Sequence, residues 1–383
     1  MNNDNLYTQL EPEIAAMLAE IPALREQGAY EVMTVETVGL RLREFLAREG
    51  LNNIQIHGLK RMGGGASKEQ FVFDLEADGF ALQRCVLRMD PLESAVHTSR
   101  PRESTILKVM ADVLPVPPVL WEDLDGSRMG RPALICGFIG GVVKPTETAG
   151  NVSGLGTGLP KSYRDALSNP FLEHLHAMHS YNIYAEDLVG FSVPDKDPKQ
   201  AALWQLNWWR KVWKDDRPEG IPLMGLAERW LLDNVPDAAV SDLVVVHSDY
   251  RVGNFLFDER EMKITTILDW ELAHIGDFHE DLAWMATHQG PSEDGTLLAS
   301  GLMTVEELCN RYTALSGRQV NPETFYFYHV LNVYKCVVIC LATSAQTAAK
   351  QHSHQDPLLS WLAAAGYSFL AQLQDLLKAG KSL

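Results

Sequence analysis

The sequence predicts an α+β chain in two lobes, a small one rich in strands followed by a larger one built mainly of helices. Three observations carry that prediction. Between Ile54 and Met89 the short apolar runs of "IQIHGLKRM", "FVFDLEA" and "FALQRCVLRMD" are separated by Gly and Asp, the pattern of an antiparallel sheet. Beyond Gly140 apolar residues recur mostly at helical spacing. Two late apolar strands, "DLVVVHSD" and "ITTILDW", then each deliver an aspartate at their end.

Composition limits the function classes. With 383 residues, 46% of them hydrophobic, the chain can bury a substantial core and has the length of two domains or lobes. A formal net charge of −17 argues against nucleic acid and against an anionic membrane surface as partners. The five cysteines (Cys85, Cys136, Cys309, Cys336 and Cys340) lack a paired framework. They read as reduced thiols, so a cytoplasmic location is expected. "MNNDNLYTQLEPEIAAML" has no basic stretch followed by an apolar one, and no signal peptide is expected. The apolar stretch "YKCVVICLATSAQTAA" from Tyr334 is short for a bilayer and has His329, Lys335 and Lys350 in or near it, which suits a buried helix.

The elements follow in order. Residues 1–50 read helical, with Val38, Leu40, Leu42, Phe45 and Leu46 on approximately one face. Residues 51–140 form the small lobe: three strands over 54–89, a helix in "RPRESTILKVMADVL", and two more strands in "VPPVLWED" and "PALICGFI". Residues 141–383 form the large lobe, with helices expected at 165–182, 199–214, 223–234, 278–289, 304–316, 322–349 and 357–378. The glycines of "GNVSGLGTGLPKS" follow no strand and read as a loop rather than a dinucleotide fingerprint.

The chemistry concentrates in "VVVHSDYRVGNFLFD" and "ITTILDWELAHIGDFHEDLAW". Asp249 follows the valine run, Asn254 lies five positions later, and Asp269 ends the second strand. Strand ends direct side chains at a common cleft. Transfer of a phosphoryl group from ATP needs a carboxylate near the attacking hydroxyl and oxygen ligands for Mg²⁺, and these three residues supply that set.

"H-S-D-Y-R-V-G-N" followed by "I-L-D-W-E" resembles the H-x-D-x-x-x-x-N and later Asp of the aminoglycoside phosphotransferase family, a kinase-like group. The run through "LAHIGDFHEDLAW" is most similar to the kinase-like domains associated with acyl-CoA dehydrogenases. The resemblance covers about residues 35–350. It implies a two-lobe protein-kinase-like fold and an ATP- and Mg²⁺-dependent phosphotransferase acting on a hydroxylated small molecule. Asp249 is then the catalytic base and Asn254 and Asp269 are the metal ligands. Arg251 stands where protein kinases carry a charge-neutralising lysine, and is either that cation or a surface residue.

Nucleotide binding is expected in the small lobe. The turn Gly63, Gly64, Gly65, Ala66 and Ser67 lets backbone N–H groups approach phosphates. Arg88 stands at the place of the kinase phosphate-binding lysine with Glu103 as its ion-pair partner, and backbone groups near Cys136 and Phe138 would meet the adenine. Arg is a planar fork rather than a point charge. Arg88 could therefore be a structural partner of Glu103, with the phosphates left to Lys68 or Arg84, and a nucleotide-binding pseudokinase stays open as the alternative. His247 either orients the catalytic loop or fills its base, with the structural role favoured. Asp277 and Asp281 read as structural, tying the loop to a helix start. His174, His176 and His179 do not share a helix face, so a zinc site is not expected. Trp204, Trp208, Trp209 and Trp213 at helical spacing pack the core or wall the acceptor pocket.

Overall fold

The structure is a computed structural model describing residues 9–63, 65, 67–146, 158–195 and 197–380. Gly64, Ala66 and most of the glycine-rich 150–162 stretch lie outside the described residues. Two helices precede the sheet, α1 (Pro12–Arg25) and α2 (Val35–Arg48). Thr34 caps α2, its hydroxyl accepting from the Thr37 N–H at 3.2 Å. The face of α2 carrying Val38, Leu42, Phe45 and Leu46 is buried. Leu40, counted with that face from the sequence, is 62% exposed, because two residues along a helix turn a side chain well away from its neighbour.

The small lobe is a five-stranded antiparallel sheet in the order β1 (Gln55–Arg61), β2 (Glu69–Ala77), β3 (Phe80–Met89), β5 (Ala133–Gly137), β4 (Val119–Asp123). Strand alternation sorts its faces. Phe71, Phe73, Leu75, Cys85, Leu87 and Met89 pack with α2 in one cluster. Gln70, Val72, Val86 and Arg88 take the opposite face, with Gln70 paired to Arg88 and Val72 to Val86 across the ladder. Helix α3 (Arg100–Met110) follows β3.

The large lobe holds α4 (Lys161–His179), α5 (Gln200–Asp216), α6 (Pro222–Asp233), α7 (His279–Thr287), α8 (Val305–Ser316), α9 (Pro322–Val338), α10 (Ala345–Lys350) and α11 (Asp356–Ala379). The helix expected over 322–349 is continuous to Lys350, with a π-helical stretch at Ile339–Ser344 between α9 and α10. At 29 residues it is long and apolar enough to cross a membrane, contrary to the shorter stretch read from the sequence, but 89% of its most apolar window is buried in the protein. Three of the four tryptophans of α5 are core: Trp208, Trp209 and Trp213 are buried, and the first two stack at 5.0 Å, while Trp204 is half-buried. His179 is buried too, bonded to the Tyr312 hydroxyl at 2.7 Å and to Asp281 at 3.1 Å.

Two short antiparallel pairs position the chemistry. β6 (Leu243–Val246) pairs with β9 (His274–Asp277), and β7 (Phe255–Asp258) pairs with β8 (Lys263–Ile267). The sequence pattern does not announce β9, nor β10 (Gln289–Pro291) and β11 (Leu297–Ala299). Each is three or four residues long, too short to show a period of two.

Candidate active site

The loop between β6 and β7 is held from below by the start of α7. Asp281 accepts from the backbone N–H of His247 at 2.9 Å and of Ser248 at 2.8 Å. Ser248 has φ +67°, a conformation costly for a side-chain residue, and Glu280 accepts its hydroxyl proton at 2.7 Å. His247 is fully buried, one ring nitrogen 2.9 Å from the Leu268 carbonyl and the other 3.2 Å from the Asp249 amide. It thereby ties the Asp249 loop to the Asp269 loop. Asn254 donates its side-chain N–H to the Asp249 carbonyl at 3.0 Å, and the Leu268 amide donates to the Asn254 carbonyl at 2.8 Å.

Asp249 lines a cavity of about 720 Å³. Its Oδ1 accepts from Arg251 Nε at 2.9 Å and from Trp284 Nε1 at 2.8 Å. Burial alone would raise its pKa, but the positive charges facing it, Arg251 first and Lys335 with it, hold the carboxyl below the usual carboxylate range. His288, on the same wall, is pushed down to about 3 by burial and by Arg251, so it is neutral at pH 7.

Asp269 enters the same cavity from a left-handed residue, φ +62°, after β8. Burial, with Glu271 and Asp249 adding like charge against the pull of Arg88, moves its carboxyl up to about 6. Its side chain is nearly half open to the cleft, so water there tempers the shift. Glu271, two residues on, has a side chain only 7% exposed, and its Oε2 has no hydrogen-bond donor and sits 3.5 Å from Lys68 Nζ. The Asp269 and Glu271 carboxylates are hard-oxygen donors of the kind Mg²⁺ takes with phosphate oxygens and water, whereas Asn254, 5% exposed, is not among the residues that line the cavity. Among the described residues, no group of three His, Cys, Asp or Glu side chains forms a metal cage on its own.

The small lobe supplies cations. Arg88 Nη1 lies 2.8 Å from Glu103 Oε1, and Nη2 lies 3.9 Å from Asp269 Oδ1, so the guanidinium spans the two lobes. Lys68 makes a parallel bridge, 3.0 Å from Asp90 and 3.5 Å from Glu271. Arg84 instead pairs with Asp74 on the exposed sheet face at 2.8 Å. Gly65 (φ +85°) and Ser67 line the cavity, and Gly63 has open space where a Cβ would stand. The expectation for Cys136 and Phe138 needs correcting. Cys136 is buried within β5, and the Gly137 and Phe138 amides are already bonded to the Pro118 carbonyl at 2.9 Å and the Arg84 carbonyl at 3.0 Å. The sheet register uses these donors, and the connection between lobes begins only after Phe138.

Sequence reasoning missed the other half of the cavity. Trp284, Ile339, Leu358, Trp361, Leu362 and Phe369 form an apolar wall beyond Asp249. Nothing in their local sequence sets them apart from core residues. Trp284 does stand three positions after Asp281, in a stretch whose acids alone drew notice.

A family model described as the phosphotransferase enzyme family matches residues 58–315. Human acyl-CoA dehydrogenase family member 11 is 25% identical over 287 residues, covering 72% of this chain and 35% of the human protein. The Pongo abelii protein of the same name is 26% identical over 291 residues with the same coverage. The chain therefore spans about a third of the length of these curated relatives. A solved structure from Ralstonia eutropha, provisionally assigned as an aminoglycoside phosphotransferase, superposes with a TM-score of 0.61 at 21% identity, over 87% of this chain and 98% of that one. A thermostable mutant of aminoglycoside phosphotransferase APH(4)-Ia, in ternary complex with ADP and hygromycin B, gives 0.52 at 15% identity, over 86% and 97%. The two-lobe kinase-like fold is shared with both.

Proposed function

The chain belongs to the phosphotransferase enzyme family, and from that premise we propose that it moves the γ-phosphoryl group of ATP, with Mg²⁺, to a hydroxyl of a small molecule. The observation that carries the reading is that Asp249, Asp269 and the glycine turn at Gly65 face one cavity. Asp249 accepts the hydroxyl proton as the acceptor oxygen bonds to phosphorus, and the bond to the bridging oxygen breaks with its electrons leaving on ADP. Asn254 Oδ1 and the Asp269 carboxylate would hold Mg²⁺, which offsets phosphate charge when bound. Arg88 and Lys68 place positive charge on the phosphate side, and Arg251 keeps Asp249 ionised.

The acceptor, on this reading, has an apolar body. The far wall of the cavity is aromatic and aliphatic, and the carboxylates lining the cavity (Asp249, Asp269 and Glu271) stand at its phosphate end. A polycation such as an aminoglycoside calls for acids on the far wall, and the described lining residues there offer none. The test is a mass-gain screen with MgATP across hydroxylated compounds, half with an apolar chain beside the hydroxyl and half polycationic. Phosphorylation confined to the apolar set, and lost in Asp249→Asn, supports the reading. Phosphorylation of the polycations alone overturns the acceptor assignment, and no stabilisation by millimolar MgATP overturns the transferase.

A further inference from the structure

Both donors that reach the Asp249 carboxylate fall on one oxygen. Arg251 Nε and Trp284 Nε1 converge on Oδ1 at 2.9 and 2.8 Å, and among the described residues no donor reaches Oδ2. Trp284 is 4% exposed on α7, and an indole has a single N–H donor with no acceptor, so its aim is set by where the ring is held. Lys335, buried on α9, places its Nζ 4.1 Å from the centre of that ring. The same ammonium donates to the Ser248 carbonyl and to the Ser248 hydroxyl, each at 2.6 Å. Ser248 is the left-handed residue directly before Asp249. One buried cation thus fixes the turn that presents the aspartate and the indole that aims its carboxylate. Core packing alone does not account for this, since packing does not require the indole N–H to be aimed at the carboxylate.

We propose that Trp284 and Lys335 are positioning residues for Asp249, the indole N–H pinning Oδ1 so that Oδ2 is the oxygen turned to the acceptor hydroxyl, and Lys335 locking indole and turn together. The proposal rests on the reading of Asp249 as the proton acceptor. Trp284→Phe tests it, because an aromatic face stays under Lys335 while the N–H donor goes together with part of the ring volume, and the pH readouts below report the donor rather than the volume. The first measurement needs no turnover: ¹H–¹⁵N indole spectra of the full chain across pH, with the Trp284 signal assigned by its loss in Trp284→Phe. That signal is expected to titrate with the carboxyl in the parent and to stop doing so in Asp249→Asn. The Asn variant separates Asp249 from the other groups facing it, Arg251, His247, His288 and Lys335. The second is MgATP hydrolysis with water as acceptor. Trp284→Phe is expected to lower kcat roughly 10- to 100-fold, the size of one lost hydrogen bond to a charged group. KM for MgATP should stay within about twofold. The acid limb of the kcat–pH profile should move to higher pH, since a carboxylate that loses a donor binds its proton more tightly. Lys335→Met should lower kcat in the same way; if it fails to fold, Trp284→Phe decides alone. A parental kcat and acid limb in Trp284→Phe, or a Trp284 indole indifferent to Asp249, overturns the proposal. Absence of hydrolysis in the parent counts against the transferase, and the indole titration then judges the positioning by itself.

Discussion

Replacing Arg88 by Met should damage stability and nucleotide binding together. The guanidinium lies 2.8 Å from Glu103 and 3.9 Å from Asp269, so its removal strands the buried Glu103 in one lobe and leaves Asp269 without its cation in the other. Breaking a buried pair by deleting one partner costs about 3–5 kcal/mol. Glu103 keeps Arg100 at 2.9 Å, so the loss should fall near the lower end, about 3 kcal/mol. Arg88 is also the cation that pulls the Asp269 pKa down toward about 6. Without it the carboxyl rises further, a proton competes with Mg²⁺ at neutral pH, and MgATP affinity should fall at least about tenfold, or about 1.4 kcal/mol. Arg88→Lys supplies a point charge that reaches one carboxylate rather than two, and should lie between parent and Met variant on both scales. Urea unfolding of the free proteins and calorimetric MgATP titrations read the two effects separately. Parental unfolding and parental affinity in Arg88→Met would refute the bridge. Stability lost with MgATP affinity intact would reduce Arg88 to a strut, and it would revive a pseudokinase only if Lys68→Met also left binding unchanged.

Asp249→Asn should cut transfer by roughly 10²- to 10⁴-fold while MgATP still binds, measured by single-turnover assays beside calorimetry. Asp281→Ala should destabilise the protein by about 3–5 kcal/mol, because it strands the His247 and Ser248 amides, each costing about 1–3 kcal/mol when buried unpaired. Burial opposes the charge on Asp281, but His179 and His247 hold its pKa below the ordinary value. Its contribution is therefore complete above the unfolded pKa of about 4 and disappears as pH falls through the lowered folded value. Urea midpoints from pH 7 to pH 3 should accordingly fall less steeply in Asp281→Asn than in the parent. Leu362→Asp, on the apolar wall, should raise the acceptor KM at least about tenfold with MgATP affinity unchanged, in a steady-state assay on any acceptor the screen yields.

What the sequence determined by itself is local. The alternation in 69–77 and 80–89 prescribes a sheet with one face for α2 and one for the cleft, and the apolar strand before Asp249 and the one before Asp269 end where their polar residues must leave the core. Asp249, Asn254 and Asp269 were legible for that reason, since Asp249 and Asp269 follow strands by a few residues and Asn254 stands directly before the next one. Tertiary structure alone decided what surrounds them. Trp284 reaches Asp249 across 35 residues of chain, Lys335 reaches Ser248 across 87, and Arg88 meets Asp269 from the other lobe. No residue type or spacing announces such contacts, because they depend on how α7 and α9 pack beneath the loop. The same holds for Cys136 and Phe138, where the sequence placed a hinge and the strand register claimed the amides. Periodicity reports which face of an element is apolar. Which other element that face meets is settled by long-range packing, and the site's electrostatics and its acceptor wall are made there.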